Sequence, residues 1–137
     1  MRVIVGVDGS PHSDRALSWA CRRAENCGDT VRAVCAWQLG DSGEDWTPQP
    51  GVKPEGQRYA EQILREAVER VRSDHPAATV ETAVVEGHPG QVLVNISADA
   101  DLLVVGSRGR SEVSGLLLGS VSQHSVHHAH CPVTVVR

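Results

Sequence analysis

Near-continuous apolar runs in this chain alternate with stretches whose apolar residues recur at three- and four-residue spacing. Four runs are rich in valine, at 2–7, 31–36, 101–106 and 132–136, and a weaker fifth lies at 79–85. Such runs suit strands covered on both faces, as in a parallel sheet. Between the first two, Ala16, Leu17, Ala20, Cys21 and Ala24 form a helical face, opened by Ser10-Pro11 as cap and first-turn residue and closed near Gly28. Ala60, Ile63, Leu64, Ala67, Val68 and Val71 form a second face, with Glu61/Arg65 and Glu66/Arg70 spaced to support its outer side and His75-Pro76 to end it. Val92, Leu93 and Ile96 mark a third helix over 90–98, and a fourth spans about 120–129.

The resulting order, β-α-β-α-β-α-β-α-β, predicts an α/β fold. It is a three-layer α/β/α sandwich in which four helices cover a five-stranded, doubly wound parallel sheet through right-handed crossovers. At 137 residues the chain is read as one domain, 1–137. One long irregular stretch, 38–57, is acidic and rich in Gly and Pro, and reads as a mobile loop or a cover over a site.

Charge and composition narrow the function. The 13 basic and 17 acidic residues leave a net charge of −4, and the basic groups form no stripe, so nucleic acid is not the expected partner. Lys53 is the only lysine and lies in the Pro/Gly-rich stretch, so phosphate charge must be met by Arg or by backbone dipoles. Cys21, Cys27, Cys35 and Cys131 make no C-x-x-C pair, and the first three fall in apolar patterns where a free thiol acts as a small hydrophobe. A reducing cytoplasm is the expected location. The opening apolar run is shorter than a signal-peptide core and no segment reaches membrane-span length, so no membrane partner is expected.

The chemistry concentrates at two strand ends. The first strand runs into Val7-Asp8-Gly9-Ser10, and the fourth into Gly106-Ser107-Arg108-Gly109, with Gly119-Ser120 opening the last helix. In open α/β sheets the ligand sits beyond the carboxyl ends of the strands, where strand order reverses. Glycines after a buried strand admit close approach to backbone N–H groups, and a helix N-terminus favours an anion. Gly-Lys is absent, which excludes a Walker A loop, and Gly6-Val7-Asp8-Gly9 lacks the dinucleotide fingerprint. No triad or paired-carboxylate signature appears, so binding is expected without catalysis.

The spacing G-x2-G-x9-G-S, together with VIVGVDGS, EGHPGQVLVNISADADLLVVGSRG and HCPVTVVR, resembles the nucleotide-binding branch of the universal stress protein family along nearly the whole chain. That resemblance implies a Rossmann-like sheet in the order 3-2-1-4-5 and ATP as the cofactor; under slow hydrolysis, Asp8 could hold a Mg2+ ion through water. It implies that Gly6, Val7 and Asp8 border the adenosine, that the backbone near Ala36 meets the adenine, and that Val105 and Gly106 border ribose and phosphates. Arg108, Gly109, Gly119, Ser120, Val121 and Ser122 then surround the phosphate chain. It also implies a homodimer paired through 132–136.

Other readings of the same residues stay open. Asp8 and Ser10 read equally as the satisfied start of a helix, and Gly106 and Gly109 as turn glycines. Arg108 and Arg110 read equally as solvated loop residues. His124, His127, His128, His130 and Cys131 carry zinc-ligating groups, but their spacing favours a surface or helix-end role over a metal site. Trp19 reads as core or rim, Trp37 as stacked on a base or buried, and Trp46 as a loop anchor or a loosely packed indole. A structural dimer without nucleotide, a cyclic AMP binder and a slow ATPase are the competing functions.

Overall fold

The computed structural model describes residues 1–39, 49–109 and 118–137. Trp46, Arg110 and residues 40–48 of the expected 38–57 loop lie outside them. Five parallel strands, β1 (Arg2–Gly6), β2 (Thr30–Trp37), β3 (Val80–Glu86), β4 (Leu102–Gly106) and β5 (Val133–Val136), form one sheet in the order β3-β2-β1-β4-β5. The register pairs Val3 with Val31 and with Leu102, so β1 sits at the centre. Strand order reverses between β1 and β4, where part of each crossover leaves the sheet uncovered.

Helices α1 (Pro11–Cys27), α2 (Glu55–Asp74), α3 (Pro89–Ser97) and α4 (Ser120–His128) fill the crossovers. Two cores result, one on each face of the sheet. The larger holds α1 and α2 against Val3, Val5, Val31 and Val104, and the smaller gathers Val92 and Leu93 of α3 with Ile4, Val34, Leu103 and Val105. Alternate residues of one strand thus enter opposite cores, as the two-residue period of a strand requires.

Local chemistry sets the helix ends. The Ser10 side chain accepts from the Ser13 N–H at 3.2 Å and caps α1, while Gly28, at φ 74°, closes it in the left-handed region. α2 starts at Glu55, earlier than its apolar face predicts, because Pro54 sets an extended entry and the first turn is polar. Arg70 clasps Asp14 with two bonds of 2.9 and 3.0 Å, tying α2 to α1. A second tie runs from Ser18 Oγ to His75 Nε2 at 3.0 Å, with His75 Nδ1 3.2 Å from Glu25 Oε2. This Ser-His-Glu array has no counterpart in the motif reading. Ser18 lies within α1, where the helix uses its N–H groups, so no donors stand ready for an oxyanion. The array straps two helices.

All four cysteines are free. Cys21 and Cys35 are buried as expected, but Cys27 is exposed at the last position of α1, where the apolar face has already ended. Burial, then the nearby Glu25 charge, pushes the Cys21 thiol up from 9.0 to about 11. A raised thiol pKa contributes stability that is complete below pH 9 and fades as pH climbs towards 11, because only the unfolded chain ionises in that window. Urea midpoints measured from pH 8 to 11 should therefore fall more steeply for the native chain than for Cys21→Ala. Parallel slopes would remove Cys21 from the alkaline response.

Candidate functional site

The sheet opens at its carboxyl edge into a cleft of about 780 Å³. All twelve residues singled out from the sequence line it: Gly6, Val7, Asp8, Ala36, Val105, Gly106, Arg108, Gly109, Gly119, Ser120, Val121 and Ser122. They come from the ends of β1, β2 and β4 and from the start of α4. The topological switch point gathers them.

On the β1 side, Asp8 shapes the turn and faces the cleft. Its Oδ1 accepts from the Ser10 N–H at 2.9 Å, and Gly9 follows at φ 86°. Ser10 then caps α1, so the helix-start reading of Asp8-Ser10 holds alongside the placement of Asp8 at the cleft. The turn is anchored on the sheet by the Val7 N–H, which reaches Val34 O at 2.8 Å.

Opposite stands the glycine segment. None of Gly106, Gly109 and Gly119 has positive φ, so backbone conformation does not require glycine at these positions. Close approach does at Gly106, and it crowds the other two. A Cβ on Gly106 would lie 2.8 Å from the His12 carbonyl group, one on Gly109 would lie 2.8 Å from Asp8 Oδ2, and one on Gly119 would lie 3.2 Å from Arg108 Cα. Ser107 gathers the segment through its main chain: its N–H donates to Val136 O at 2.8 Å, and its carbonyl accepts from Gly119 N–H at 2.7 Å. The Ser122 hydroxyl is committed to structure, donating to Ser107 O at 3.0 Å and Gly119 O at 2.9 Å.

The start of α4 differs from those of α1 and α3. Gly119 is its N-cap and provides no side-chain cap, whereas Ser10 caps α1 and His88 caps α3. The first backbone bond of α4 runs from Gln123 N–H to Gly119 O at 3.0 Å. The N–H groups of Ser120, Val121 and Ser122 therefore have no acceptor inside the helix, and their partial positive charge faces the cleft wall. An anion fits there.

Further lining comes from residues the motif reading did not select. Tyr59 and Ile63 of α2, Leu93 of α3, Gln38 after β2 and His88 before α3 complete the walls. Ile63 and Leu93 carry the periodicity of core residues and Tyr59 that of a surface residue, which hid them. The Gly87-His88-Pro89 turn was the available signal, since a polar residue before Pro marks a helix start. Trp37 is 9% exposed, packs in the larger core and borders the cleft. Trp19 is a rim residue packed on the same core.

The histidine cluster stays apart. His124 and His128 have ring centroids 4.6 Å apart, with His127 and His128 exposed. Among the described residues no group of three or more His, Cys, Asp or Glu is arranged to hold a metal. Nor is any described helix long and apolar enough to cross a membrane.

A doubly wound parallel sheet with an anion-ready helix N-terminus at its switch point defines a Rossmann-like α/β protein. Within that class, the model of the universal stress protein family matches residues 1–137, and the chain belongs to that family. A universal stress protein of Mycobacterium tuberculosis is 40% identical over 136 residues, which cover 98% of this chain and 45% of that one. The chain thus spans less than half the length of that relative. Among solved structures, a universal stress protein from Archaeoglobus fulgidus is 27% identical with a TM-score of 0.78, covering 100% of this chain and 98% of that one. A universal stress protein solved in complex with cAMP is 30% identical with a TM-score of 0.73, covering 100% and 96%.

Proposed function

We propose that the cleft binds an adenine nucleotide, with ATP as the ligand, and that the chain acts as a cytoplasmic regulatory module in the response to stress. The observation that carries this reading is the uncapped N-terminus of α4, set beside a glycine floor and across from Asp8 in one cleft. The three N–H groups of α4 suit a chain of phosphates, while Arg108 adds a cation and the Gly119 N–H stays committed to Ser107 O. Asp8 is the carboxylate that would meet Mg2+ through water. The backbone of Ala36 and the apolar surface of Val34, Leu93 and Val105 suit a base. The cAMP held by the relative described above supports an adenine ligand.

The lining contains no lysine among the described residues, which supports a reading of binding without turnover. The outer edge of β5 supports a homodimer formed through 132–136, since a sheet edge left open is ready to pair.

Thermal unfolding with ATP, AMP and cAMP tests the ligand. Stabilisation should follow mass action, reaching about 2.7 kcal/mol at a hundredfold excess over Kd. A melting curve indifferent to all three nucleotides would leave a structural dimer as the surviving function. Steady-state release of ADP would instead make the protein an ATPase.

A further inference from the structure

The turn between β3 and α3 brings to the cleft a histidine outside the glycine segment. The Gly87 N–H donates to Trp37 O at 2.8 Å, fastening the turn to the end of β2. That bond sets His88 beside the Ala36-Trp37 end of the cleft. His88 is the N-cap of α3, and its Nδ1 accepts from the Gly90 N–H at 3.2 Å. A neutral imidazole that accepts at Nδ1 carries its proton on Nε2. The cap therefore selects one tautomer.

His88 is exposed and lines the cleft, and among the described residues its Nε2 has no partner. The ring presents the ligand with one donor and no acceptor. Two of the helix starts at this cleft are thus used differently. Bare N–H groups open α4 to an anion, whereas the cap on α3 occupies the Gly90 N–H and puts a flat, neutral donor in place of positive backbone charge. A phosphate suits the first end. An uncharged heterocycle with acceptor nitrogens suits the second.

We propose that His88 is a specificity-determining residue whose Nε2–H donates a hydrogen bond to a ring nitrogen of the adenine base. This rests on the adenine-nucleotide reading of the cleft. A neutral hydrogen bond of this kind changes affinity by about threefold to tenfold. Both roles of the ring are separable, because serine also caps a helix but carries no ring N–H.

The test measures binding of AMP and its 1-deaza, 3-deaza and 7-deaza analogues to the full chain by calorimetry, for the native protein and His88→Ser. The serine variant should melt with the native chain yet bind AMP about threefold to tenfold more weakly. One deaza analogue should lose the same factor on the native protein and lose nothing further on the variant. His88→Thr, a second capping residue, provides the same comparison if the serine variant folds poorly. Equal AMP binding by native and variant chains overturns the assignment, as does a variant that loses the same factor for every deaza analogue, which marks a purely structural role. If the native chain binds no adenine nucleotide, the reading of the cleft falls first and the role of His88 falls with it.

Discussion

Gly106→Ala should lower the stability of the folded chain by about 1 to 3 kcal/mol. The added Cβ would lie 2.8 Å from the carbonyl carbon and oxygen of His12 and 2.9 Å from its Cβ. Two of those three atoms are main chain in the first turn of α1, so no rotamer change relieves the contact. α1 cannot retreat freely either, since Ser10 fixes its start and Ala16, Leu17, Ala20 and Cys21 pack it into the larger core. The helix must lift from β4 and carry the Asp8 turn with it, so nucleotide binding should fall along with stability. Urea unfolding reads the first effect and calorimetry the second. A variant as stable as the native chain would mean that α1 and β4 separate at little cost.

Gly109→Ala should do the reverse, with ATP affinity falling at least tenfold, about 1.4 kcal/mol, while the melting temperature changes little. Among the described residues the only close neighbour of the new Cβ is Asp8 Oδ2, at 2.8 Å, the far end of a side chain. The fold can yield by turning that carboxylate. Yet Oδ1 of the same group holds the Ser10 N–H at 2.9 Å, so turning it disturbs the β1 side of the cleft from across the gap. Glycine at this position keeps the two walls close without contact. Undiminished ATP binding by a well-folded Gly109→Ala would place Asp8 outside the ligand's reach.

The contrast shows what the sequence could convey. Strands and helices were legible because burial on both faces of a strand, or on one face of a helix, writes a period into the residues themselves. The glycine segment was legible through its spacing, but the local reading of Gly106 and Gly109 as turn glycines has the wrong cause. The structure puts positive φ at Gly9, Gly28, Gly51 and Gly87, and keeps Gly106 and Gly109 free of side chains because His12 and Asp8 approach them from other elements. Such tertiary pressure leaves no periodic trace. The wall built by α2 and α3 was hidden for the same reason, since Ile63 and Leu93 look like core until the cleft beside them is known. Cys27 shows the converse, an apolar pattern extended one turn too far.

Ser107 joins β5, β4 and α4 through its own amide and carbonyl, and the N–H groups facing the cleft at α4 are also main chain. Function resting on peptide groups survives the deletion of side chains and yields only to added atoms. An alanine scan would therefore pass lightly over Ser120 and Val121, and a scan with bulky residues or proline would draw the outline of the site.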